Sequence, residues 1–83
     1  MIKLKKNIAQ SESGFIFDPS TGDSYSVNQT GSKIIEFLKE GLSEDQIIEK
    51  LNETFNSDKE QLQKDLDDFL LHLKQLKMIE NVS

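Results

Sequence analysis

The stretch from Asp18 to Ile34, DPSTGDSYSVNQTGSKI, constrains the fold more than any other part of the chain. Asp18-Pro19-Ser20-Thr21-Gly22 places Asp and Pro where a tight turn wants them, with a Gly free to take a positive φ. Ser24-Tyr25-Ser26-Val27 then alternates polar and apolar, which is the period of a half-buried strand. Asn28 or Thr30 can cap the helix that follows. Turn, strand and helix start are therefore all written into one short run.

Upstream, Phe15-Ile16-Phe17 reads as a short apolar strand with Phe15 and Phe17 on one face. Ile2, Leu4 and Ile8 fall on even positions and predict an earlier strand. The expected strands span about residues 2–8, 14–18 and 23–27. Their short connections make an antiparallel meander with the third strand at an edge.

The rest of the chain reads as helices. The first spans about 29–39, with Ile34, Ile35 and Leu38 facing inward and Gly41 as a left-handed cap. Ser43-Glu44-Asp45-Gln46 is a capping box for a second helix over about 44–55. Leu42 is placed to staple onto Ile47, and Ile47, Ile48, Leu51 and Phe55 are its buried residues. Ser57-Asp58-Lys59-Glu60 predicts another capping box. It opens a third helix over about 58–76, with an inward stripe of Leu62, Leu66, Phe69, Leu70 and Leu73. The tight Asn56-Ser57 turn gives the last two helices helix-turn-helix spacing. The fold class is α+β: a small winged-helix-like domain, a three-stranded antiparallel β-meander followed by three helices, expected as one domain over residues 1–83.

Composition removes several function classes. The chain has one His and no Cys, no glycine-rich phosphate loop, and acidic residues that fall on helix surfaces. No catalytic residue and no cofactor is expected. Asp68 and His72 are two potential metal ligands on one helix turn, too few for a site, so no metal is expected. The formal net charge is −5 and every basic residue is a lysine. An acidic chain without the bidentate fork of arginine is poorly suited to nucleic acid. A winged-helix DNA-binding protein is nonetheless one alternative, although its recognition helix would present Asp58, Glu60, Asp65, Asp67 and Asp68 to phosphate. A protein–protein adaptor without a peptide substrate is another. The N-terminus shows no apolar signal-peptide core and no apolar run is long enough to span a membrane, so a cytoplasmic protein is expected.

An edge strand over Asp23, Ser24, Tyr25, Ser26 and Val27 offers backbone groups to an added strand. About four or five hydrogen bonds, each worth roughly 1 kcal/mol net, would be largely offset by the losses on association. Affinity on the order of micromolar then depends on side-chain pockets. Tyr25 either packs in the core with its hydroxyl at the rim or touches the peptide. Leu66 and Phe69 belong to the core stripe or floor the groove. Asp65, Asp68 and His72 share one flank of the third helix, either as a solvated face or as a polar wall for basic residues of a partner. Leu71 falls opposite the core stripe.

The segment from Gly14 through Phe15-Ile16-Phe17-Asp18-Pro19 to Asn28, then Thr30-Gly31 and Ile34, resembles the front half of PqqD-like proteins. Gly41, Glu44, Ile47 and Leu51 resemble the middle of that pattern, and Asp65-Leu66-Asp67-Asp68-Phe69-Leu70 with Leu73 resembles its helical signature. The likeness runs from about residue 3 to residue 79. One departure stands out: the family pattern has a Gly before a closing Leu-Ile-type pair, and this chain has Lys77 before Met78-Ile79. The resemblance implies a RiPP recognition element, a peptide chaperone. Such domains bind the leader of a ribosomally made precursor peptide beside the third strand and under the third helix. They deliver it to a modifying enzyme, which in PqqD itself is a radical SAM protein of pyrroloquinoline quinone (PQQ) biosynthesis.

Overall fold

The computed structural model describes residues 2–81. The elements run β1 (Ile2–Leu4), β2 (Ala9–Gln10), β3 (Phe15–Asp18), β4 (Asp23–Ser26), α1 (Gln29–Lys39), α2 (Glu44–Phe55), α3 (Lys59–Gln75) and β5 (Ile79–Asn81). Strands β2, β3 and β4 form an antiparallel meander with β4 at its edge. The α+β class and the order of meander before three helices are as the sequence implies, and β5 after α3 is a strand that the sequence reading did not include.

The first strand differs from expectation. The apolar pattern over 2–8 is divided between two sheets, because β1 pairs with β5 while β2 pairs with β3. Lys5-Lys6-Asn7 turns the chain between them, with the Ile8 N–H reaching back to the Lys5 carbonyl. Both Leu4 and Ile8 are still buried, so the even-numbered apolar positions serve the core without belonging to one strand. The β1–β5 pair is a non-local ladder, with Ile2 opposite Asn81 and Leu4 opposite Ile79.

Local hydrogen bonds fix the other boundaries. The Asp18 carboxylate accepts from the Ser20 N–H, and its carbonyl accepts from the N–H groups of Thr21 and Gly22. That closes the β3–β4 turn, with Gly22 at φ +79°. Asn28, not Thr30, is the N-cap of α1: its side chain accepts from the Gly31 N–H at 2.7 Å. Gly41 adopts φ +83° just past the end of α1. Ser43 and Gln46 form the reciprocal capping box of α2. The second expected box does not form. Asp58 itself caps α3 by accepting from the Glu60 N–H, and the Ser57 hydroxyl turns back to the Phe55 carbonyl. Asn56 ends α2 in the left-handed conformation, at φ 51°, and with the Ser57 hydroxyl engaged at the Phe55 carbonyl the cap position passes to Asp58.

The helices bury one stripe each: Ile34, Ile35 and Leu38; Ile47, Ile48 and Leu51; Leu62, Leu66, Leu70 and Leu73. α2 packs on both α1 and α3, β1 lies against α1, and β5 lies against α3. The meander joins this core through Ile16, with Tyr25 and Val27 packed beside it. The Gln10 side-chain amide also donates to the Ser32 carbonyl and hydroxyl of α1.

Candidate functional site

The ladder of β3 and β4 determines which backbone groups are free. The Val27 N–H donates to the Gly14 carbonyl at 2.7 Å. Bonded and non-bonded pairs alternate in an antiparallel ladder, so Asp23 and Tyr25 also turn their backbone toward β3. Ser24 and Ser26 turn theirs outward, which gives the edge two donors and two acceptors.

The same alternation divides the side chains. Ile16, Asp18 and Tyr25 lie on the inner face toward the helices, with Ile16 and Asp18 buried and Tyr25 half-buried. Burial of the Tyr25 ring pushes its phenol above the usual 10.0, helped by the Asp23 carboxylate and, behind it, Asp18. The outer face carries Phe15 and Phe17. These two do share a face, as the sequence suggests, but it is the solvent face.

A cleft of about 350 Å³ opens two residues beyond the end of β4. Asn28, Thr30, Gly31 and Ile34 form its α1 side, and Asp65, Asp68, Phe69 and His72 form its α3 side. The four residues from α3 are among those the sequence singles out, and they do converge. Their helical spacing of three and four places them along one flank. The Gln61 amide donates to Asp65 at 3.0 Å, which holds that carboxylate at the rim. Leu66 is 0% exposed and belongs to the core and not to the cleft lining. None of Asp23, Ser24, Tyr25, Ser26 and Val27 lines the cleft; they form the edge that runs directly into its first lining residue, Asn28.

The α1 wall is the part that reasoning from sequence missed as a site. Its signal was Gly31, a glycine in the first turn of a helix. A Cβ there would stand 2.9 Å from Cε1 and 3.2 Å from Cζ of Phe69. The missing side chain is what lets the Phe69 ring lie against the start of α1. A larger cleft, about 580 Å³, lies between β1 and the end of α1 with Lys3, Lys5, Lys6 and Lys39 around it, and it includes no residue of β4 or α3. Among the described residues no three His, Asp or Glu side chains gather as a metal site, and no helix is long and apolar enough to cross a membrane.

The site therefore combines a strand edge with free hydrogen-bonding groups and, continuous with it, a cleft with an apolar floor and an acidic rim. Comparisons with known proteins agree with the fold. The structure described as TbiB1 in complex with the TbiA(beta) leader peptide superposes with a TM-score of 0.85 at 21% identity, covering 98% of each chain. The structure described as lasso peptide synthetase B1 complexed with the leader peptide superposes with a TM-score of 0.80 at 22% identity, covering 96% of this chain and 98% of the other. Among curated proteins no match was found. The family model described as coenzyme PQQ synthesis protein D matches residues 14–79. That span takes in β3 and β4 of the meander, all three helices and both walls of the cleft, and on it the chain belongs to the PqqD family.

Proposed function

We propose that this chain is a non-catalytic peptide chaperone of the cytoplasm. It binds the leader of a ribosomally made precursor by strand addition along β4 and presents it to a modifying enzyme, in a pathway like that of PQQ biosynthesis or of another RiPP. The observation that carries this reading is the continuity of the β4 edge with the α1–α3 cleft. A strand laid on Ser24 and Ser26 sends every second side chain toward the inner face, the side on which the meander meets the helices. Two structures with this fold carry leader peptides in their descriptions, which supports the same use here.

The residues divide the work. Ser24 and Ser26 supply about four backbone hydrogen bonds, a few kcal/mol in all before association losses. Phe69 offers apolar surface, with the buried Ile34 lining the same cleft, and Asp65 and Asp68 set a negative rim that favours a basic side chain next to the apolar one. Titration of isotope-labelled protein with the leader encoded near its gene tests the proposal. Amide shifts should concentrate in residues 23–28 and 62–73. Shifts scattered over α2 and β1 would defeat the groove.

A further inference from the structure

Phe15 and Phe17 are 48% and 41% exposed on the outer face of β3. Ala9 stands opposite Phe17 on β2, while Ser24 and Ser26 stand opposite Phe17 and Phe15 on β4. All five side chains share one face and all are exposed. Small neighbours on both flanks leave the two rings standing clear. Among the described residues, the other large apolar side chain this exposed is Leu71 on α3. A lone exposed apolar residue is ordinary, but two aromatic rings side by side on a face of small residues form a patch.

A strand added at β4 extends this face. Its residues opposite Ser24 and Ser26 project on the same side as the two rings, away from α1 and α3, while their neighbours project toward the helices. The bound leader thus has one set of side chains held against the helices and a second set left in the open. The two rings alone are far smaller than a stable protein interface, and the leader enlarges them into a broader apolar surface. We infer that Phe15 and Phe17, together with the outward side chains of the bound leader, form the docking face for the modifying enzyme, whose matching surface is apolar. The inference rests on strand addition at β4. It makes the enzyme touch chaperone and peptide at once, so each ligand tightens the binding of the other by the same factor.

The test uses the full chain, the synthetic leader and the purified modifying enzyme encoded beside them. The double variant Phe15→Thr, Phe17→Thr removes the rings and keeps strand propensity. Ala9→Arg keeps the rings and sets a charge beside them. Both variants should hold the leader with a Kd within about twofold of wild type, while affinity of the leader-loaded chain for the enzyme falls by about tenfold or more, a loss typical of a central aromatic anchor. The tightening that the leader confers on enzyme binding should vanish with it. Unchanged enzyme binding would overturn the inference. So would an equal loss of leader affinity, which would assign the rings to the leader site, or a wild-type chain that dimerises through them. A wild-type chain that binds the enzyme through Phe15 and Phe17 but not the leader would sink the strand-addition reading instead.

Discussion

Tyr25 is the sole tyrosine in a chain without tryptophan, so its phenol reports on β4 alone. Burial, and then the Asp23 carboxylate, raise its pKa, which means the fold favours the neutral phenol. The linked stability is fully present below pH 10 and is lost as pH climbs through the raised value. An ultraviolet titration of the phenolate band should give a midpoint above 10.0 in the folded chain and the ordinary value in denaturant. Asp23→Asn should lower that midpoint only in part, because burial is the larger cause. Lys77 raises a different residue-scale question. It stands where the family pattern has a glycine, and it adopts φ 60°, the left-handed region that glycine enters without steric cost. Lys77→Gly should stabilise the chain by about 0.5–1 kcal/mol, the left-handed strain less the added freedom of the unfolded glycine. A urea melt with unchanged slope and a higher midpoint would show it. The sequence alone displayed this departure but not its backbone angle.

At the scale of elements, β4 and α1 carry the sharpest predictions. The Ser26 N–H faces away from β3, so a proline there removes no hydrogen bond of the meander. Ser26→Pro should weaken leader binding by about tenfold through the lost donor and the blocked edge, and Ser26→Ala by less than about twofold. Fluorescence anisotropy with labelled leader separates the two. Gly31→Ala sets a helix-propensity gain of about 1 kcal/mol against a push on the Phe69 ring. The fold should therefore change in stability by less than about 1 kcal/mol, while the displaced ring fills the cleft and leader affinity falls by about fivefold or more. Thermal melts and anisotropy on the same variant check both halves. These elements also show what a sequence can carry. The limits of α1 and α2 were legible because Asn28, Gly41, Ser43 and Gln46 are local signals, each closing hydrogen bonds within a few residues. The split of the 2–8 strand was not legible, because its cause is β5, far along the chain. Nor could Phe15-Ile16-Phe17 say which face is buried. Two phenylalanines outweigh one isoleucine in apolar surface, but only Ile16 shares a face with Gln10 and Tyr25, the face tied to the helices.

At the scale of the whole molecule, the core depends on its last few residues. Met78 and Ile79 are 1% and 9% exposed, and the Met78 carbonyl accepts from the Lys5 N–H at 2.9 Å. Burial of two such side chains contributes about 4 kcal/mol, against a total of roughly 5–10 kcal/mol for a domain this small. A chain ending at Lys77 should melt about 15 °C lower or more, as followed by circular dichroism. The cleft was only half legible at this scale. Its α3 wall follows from helical spacing, but its α1 wall depends on how two helices far apart in sequence cross, and Gly31 alone hinted at that close approach. The pairing of Ile2 with Asn81 has a further meaning. It nearly closes the backbone into a ring, with the seam held in the two-stranded sheet and not in the meander or its free edge. A fold closed in this way can be spliced into a surface loop of a larger protein, or cut open elsewhere and rejoined at the seam, without its β4 edge or α3 changing place.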